Sequence, residues 1–203
     1  MKSGHRSDKD RFLVVLKVNF LMFIAELTVG LYSGSLMMLS DSFHLFLDFL
    51  SQVVAYISEL KLSWLSENKL KKLSAWFIVL LFFPTAGFIF YEAVTRLANP
   101  VPVKINFWFL LVAFIGLAGN FYSSFILKPE KGEEYSIIRK ASFWHNAQDF
   151  VCSIIVIIGA FVILKGGNVS IDPKLSIILA VSIIIGAGIM LKDLKSGHFG
   201  HHH

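Results

Sequence analysis

Asp41-Ser42-Phe43-His44-Leu45-Phe46-Leu47-Asp48 stands inside a run of residues that otherwise suits lipid. His44 and Asp48 are four apart, so on a helix they stack one above the other on a single face. The same spacing returns at His145 and Asp149, again within an apolar run. An ionisable side chain at the middle of a bilayer costs about 2.5–3.5 kcal/mol on insertion scales. Two such His/Asp pairs call for a partner that offsets this cost, and a divalent metal ion supplies it.

The composition around the stretch has the same character. Of 203 residues 55% are hydrophobic, 20 are Phe, and mean hydropathy is +0.66. Charged residues make up 16%, against roughly 25% in soluble domains. A spanning helix needs about 20 apolar residues, so this length predicts six spans with short loops. The expected fold class is an all-α membrane protein, with helices near 12–32, 36–60, 73–97, 106–127, 135–164 and 172–191. Residues 1–11 form a cytoplasmic segment, 12–191 the transmembrane domain, and 192–203 a short tail. The single Cys excludes a disulfide framework and a Cys-based zinc site. The polar first ten residues lack the apolar core of a signal peptide.

Between the first two helices lies Gly30-Leu-Tyr-Ser-Gly-Ser35, a tight turn, and Asn99-Pro-Val-Pro102 stops the third. Pro84 and Gly87 mark possible kinks in that third helix, and Asp172-Pro173 opens the sixth. Lys61, Lys69, Lys71 and Lys72 share one side with Lys128, Lys131, Arg139 and Lys140 and with both termini. The opposite loops hold Arg96, Lys104, Lys165 and Lys174. The positive-inside rule then puts both termini in the cytoplasm, at the cell membrane. The net charge of +5 follows from this arrangement and not from nucleic-acid binding. An internal echo accompanies it. Asn19-Phe20, His44, Asp48-Phe49 and Ser51 recur as Asn120-Phe121, His145, Asp149-Phe150 and Cys152, each 101 residues on. A repeat of three helices must run inverted through the membrane, which in transporters places the substrate near the midplane between halves.

The sequence thus predicts that His44, Asp48, His145 and Asp149 hold one Zn²⁺ tetrahedrally, with Co²⁺, Ni²⁺ or Cd²⁺ as other cations the site would accept. Four ligands leave no open position for a reacting water, so a transporter is expected and an enzyme is not. Metal binding requires neutral His and ionised Asp, and a site holding either metal or protons is an antiporter. The bland reading of one isolated pair, a His bonded to its own i+4 carboxylate, yields to the recurrence of the pair. Asn19 and Asn120 read first as hydrogen-bonding links between helices, and second as supports for the ligands. Asp41 lies one turn before His44, either as a relay at the pathway mouth or as a solvated interfacial group. Glu26 is expected towards the outer interface, Ser51 and Cys152 as packing residues, and Glu92 with Arg96 as an i+4 pair. His198 and His201–His203 read equally as a weak metal-capturing tail or an appended one.

Taken together, the motifs resemble the cation diffusion facilitator family over nearly the whole chain. The resemblance rests on Gly30-x-x-Ser-Gly-Ser35 leading to Ser40-Asp-Ser-x-His44-x-x-x-Asp48. It extends through Phe88-Ile-Phe-Tyr-Glu-Ala-Val-x-Arg-Leu97, His145-x-x-x-Asp149 and Asp172-Pro173. It implies a six-helix bundle, usually dimeric, that exports Zn²⁺ or a similar ion against protons, with its ligands at the four His/Asp positions. The chain stops soon after the sixth helix, where many members continue into a ferredoxin-like cytoplasmic domain. Residues 128–141 lack the histidines of many eukaryotic members, and 61–72 lack the Pro or Gly of many bacterial ones. Two other readings compete. A membrane haem protein with His44 and His145 as axial ligands leaves both Asp residues unexplained. A zinc binder that does not transport differs only in flux.

Overall fold

In the computed structural model, residues 8–59, 67–128 and 137–195 are described. They form six helices: α1 (Asp8–Ser33), α2 (Leu36–Glu59), α3 (Glu67–Ala98), α4 (Phe107–Leu127), α5 (Ile137–Leu164) and α6 (Ile171–Lys195). The described residues contain no strand. The observed ends agree with the hydropathy pattern to within a few residues, except that α3 starts at Glu67 and not near 73. Hydropathy marks only the lipid-suited part of that helix, whereas Glu and Lys prolong a helix well without being apolar. Lys61, Lys131, His198 and His201–His203 lie outside the described residues.

Four of the described segments are long and apolar enough to cross a membrane: Asp10–Ser33, Leu80–Ala98, Phe107–Leu127 and Ile171–Ile189. In α5 the apolar stretch is shorter, Asp149–Leu164, and α2 carries Asp41, His44 and Asp48 along its length. The solvation pattern is inverted relative to a water-soluble bundle. Asn19, Asp48, Asn120, Asn146, Asp149 and Asp172 are buried, while Leu21, Leu31, Phe88, Phe121, Phe125 and Ile189 face outward. An apolar surroundings for the outer face is what such a distribution requires.

The bundle is built of paired helices: α1 packs most heavily on α2, α3 on α6, and α4 on α5. Contacts of α1 with α4 and of α2 with α5 join the first and third pairs into one core. Three buried clusters fill it. Met37, Met38, Phe109, Cys152, Val156 and Leu179 pack in one, Leu47, Phe82, Ile89 and Ile183 in another, and Phe12, Val15, Ile126 and Leu127 in the third. Lipid tails are as apolar as these side chains, so close backbone approach at small residues becomes a main source of helix affinity. Gly30 lies against Leu39, Gly119 against Met22, and Gly159 against Met37 and Leu175.

At one end the chain turns sharply between α1 and α2 through Gly34, whose φ of 71° favours glycine. This turn is tied to three other parts of the molecule. Arg96 of α3 donates to the Gly34 carbonyl, and the Lys104 amide donates to Ser33 O at 2.9 Å. From α6, Asp172 accepts from the Ser35 hydroxyl, from Leu36 N at 2.7 Å and from Met37 N at 3.3 Å. Its carboxylate therefore reinforces the N-terminal cap of α2, where the Ser35 hydroxyl also accepts from Met38 N at 3.3 Å. Arg96 is itself held by Glu92 at 2.8 Å, the expected i+4 pair.

Candidate metal site

The α2 face that carries Asp41, His44 and Asp48 turns inward because those residues fall at i, i+3 and i+7. Across the core, α5 offers Asp149 by the same logic. His44 Nε2 stands 2.7 Å from Asp149 Oδ1 and 3.8 Å from Asp48 Oδ2. One ligand atom from each of the three residues lies within 4.8 Å of the others. Around a zinc ion with ligands at about 2.0–2.2 Å, tetrahedral neighbours stand roughly 3.3–3.6 Å apart. Adjustments of an ångström or so would reach that geometry. All three side chains are buried, and Phe82 meets the His44 ring edge-on with centroids 6.5 Å apart. His145 occupies its expected place in α5, one turn before Asp149. Its side chain lies outside the described residues.

A separation of 2.7 Å between an imidazole nitrogen and a carboxylate oxygen is a hydrogen bond, and it needs a proton on one of the two atoms. A metal ligated by Nε2 and Oδ1 takes the place of that proton. The geometry thus holds the hydrogen-bonded form of a site whose donors suit a borderline divalent cation.

Asp41 is buried rather than solvated, and it lies within electrostatic reach of His44, Asp149 and Asp48. Its carboxylate is hydrogen-bonded by Ser153, whose Oγ also accepts from Asn120 Nδ2 at 2.9 Å. Asn120 therefore links α4 to α5. Asn19 is buried too, but its amide has no hydrogen-bond partner among the described residues. The helix-linking role fits Asn120 and not Asn19. Cys152 packs in the core with its sulfur 3.7 Å from Ser182 Oγ.

Glu26 departs from expectation. Its place near the end of α1 suggested an interfacial group, but it is 1% exposed. The carboxyl points at α4, where Gly116 leaves room for it: a Cβ there would collide with Oε1. Sequence reasoning missed this because the space that receives Glu26 is made by a glycine 90 residues away.

Residues 12–196 match the family described as the cation efflux transmembrane domain. The chain is 30% identical to the zinc transporter ZitB of Pectobacterium atrosepticum over 191 residues, 90% of this chain and 59% of that protein. It is 27% identical to the metal cation efflux system protein CzcD of Cupriavidus metallidurans, over 95% of this chain and 64% of that protein. Identity is also 27% to the cadmium, cobalt and zinc/H(+)-K(+) antiporter of Bacillus subtilis, over 94% of this chain and 64% of that protein. The chain thus spans about 60% of the length of these curated relatives. With a family match over almost all of its residues, and with imidazole and carboxylates gathered inside a lipid-suited bundle, the chain belongs to the cation efflux family.

Proposed function

We propose that this protein exports a divalent metal ion, Zn²⁺ first among them, across the cell membrane in exchange for protons. The observation that carries the reading is the His44–Asp149 hydrogen bond across α2 and α5, with Asp48 beside it. Metal and proton compete for the same atoms there, so filling the site releases protons and protonation expels the metal. Asp48 and Asp149 together balance the charge of a divalent cation, which favours the filled site over two bare carboxylates at this depth. His145 completes a tetrahedral set in this reading. Co²⁺ and Cd²⁺ are further substrates that the same donors would accept, and the names of the relatives include both metals.

Alternating exposure of the site follows from an inverted repeat of two three-helix halves. Two ring contacts support that reading. Phe20 of α1 packs on Phe49 of α2 with centroids 5.2 Å apart and planes tilted by 42°. Their counterparts 101 residues on, Phe121 of α4 and Phe150 of α5, pack at 5.9 Å and 50°. All six helices would span the membrane, with both termini in the cytoplasm as the Lys and Arg distribution directs.

Zinc flux into proteoliposomes, followed alongside a pH-sensitive dye, tests the proposal. The unaltered protein should move zinc and protons in opposite directions. Asp48→Ala and Asp149→Ala should abolish both signals. Full transport by both variants would overturn the assignment.

A further inference from the structure

Glu26 presents a buried acid that the three-residue metal cluster leaves unused. Its Oε1 rests against the bare backbone of Gly116 on α4, and its Oε2 has no hydrogen-bond partner among the described residues. The ionisable groups facing it are themselves acidic: Asp41 from α2 and Asp149 from α5. On its own helix Lys17 is nine residues away and exposed. No cation among the described residues is therefore placed to neutralise it. An ionised carboxylate in so apolar a setting costs several kcal/mol unless a cation or a proton accompanies it.

Position along the bundle gives this carboxyl a direction. Glu26 is seven residues from the end of α1 at the Gly34 turn, and Asp41 and His44 are five and eight residues from the start of α2. At about 1.5 Å per residue all three fall some 7–12 Å below the turn. Asp48 lies roughly 18 Å below it on the same scale. Glu26 thus stands beside the Gly34-side half of the metal cluster, level with Asp41 and His44.

We propose that Glu26 is a further proton-binding residue of the exchange cycle, protonated while the His/Asp cluster is free of metal and discharged when a divalent ion arrives. The inference rests on the transport reading above and adds one proton carrier outside the ligand set. The step balances simply. The O–H bond of the Glu26 carboxyl breaks, its proton leaves to water on the accessible side, and the carboxylate left behind faces a cluster that has just exchanged its own proton for a divalent cation. When the metal departs the carboxyl takes up a proton again.

The test counts protons. Zinc is titrated calorimetrically into the purified protein in detergent, in buffers of different ionisation enthalpy, to give the protons released per zinc bound. Glu26→Gln preserves shape and removes the titrating group, and it should bind zinc while releasing up to about one proton fewer, since a carboxyl carries one. Glu26→Asp keeps a carboxyl and should restore the count of the unaltered protein. Equal counts in the unaltered protein and Glu26→Gln would overturn the proposal. So would a loss in Glu26→Asp matching that in Glu26→Gln, because it would make the side chain's shape its only contribution. If the unaltered protein bound no zinc, the metal-site reading and this one would fall together. Retained zinc binding that Asp149→Asn weakens, with an unchanged proton count in Glu26→Gln, would overturn only the role of Glu26.

Discussion

Replacing Asp149 by Asn is the most exacting test of the metal site, because it removes a ligand and leaves the packing alone. The amide has nearly the volume of the carboxylate, and its oxygen can still accept from His44 Nε2, now 2.7 Å away. Zinc, however, loses an anionic ligand and half the negative charge that neutralises it. Four-ligand zinc sites bind with about 10–16 kcal/mol, so one ligand accounts for about 2.5–4 kcal/mol if the share is even. At 1.4 kcal/mol per factor of ten, the dissociation constant should rise by roughly 60- to 700-fold. Calorimetric zinc titration of the purified protein in detergent measures this directly. The metal-free variant should melt no lower than the unaltered protein, since a buried amide is easier to accommodate than a buried charge. A variant that binds zinc within threefold of the unaltered protein would refute the reasoning.

Other outcomes follow from single contacts. Gly34→Ala should lower stability by about 1–2 kcal/mol, as a left-handed backbone costs any residue with a Cβ. An added Cβ would meet only the Pro102 carbonyl oxygen, at 3.4 Å and thus in ordinary contact, so a larger loss on thermal melting would contradict that cause. Asp172→Asn weakens three bonds to the start of α2 and should cost about 2–4 kcal/mol, read as a lower melting temperature. Zinc affinity should fall as pH drops from 7.5 to 5.5, because protons compete with the metal for the imidazole and carboxylate atoms. Titrations at pH 7.5 and 5.5 that gave equal affinities would count against an imidazole ligand.

Local signals in the chain carried much of this structure. Apolar runs of spanning length announce helices one at a time, and prolines and glycines place their ends. The i+4 pairing of His44 with Asp48 was legible for the same reason, since both residues share one helix face whatever surrounds it. What joins one helix to another was not. Asp172 caps a helix that begins 136 residues earlier, and nothing in Asp172-Pro173 names that partner. Asn19 and Asn120 occupy matching places in the echo, yet among the described residues only Asn120 meets a hydroxyl, because Ser153 stands opposite it. Glu26 was misplaced on the same ground. A charged residue near a helix end suits an interface, and only the notch at Gly116 makes room for it inside.

The fastening around Gly34 also limits how the bundle can move. The end of α3, the start of α6 and the first turn of α2 meet in one hydrogen-bonded knot, and α1 is held to the α3–α4 connection beside it. Sliding α2 along its own axis would break the Asp172 bonds at once. Tilting it about the knot would leave them whole. With its pivot at the turn, α2 would act as a lever, carrying Asp48 through a wider arc than His44 and moving Asp41 about two-fifths as far as Asp48. A small angular change would then alter the distance from Asp48 to Asp149 by more than the distance from His44 to Asp149, which is 2.7 Å here.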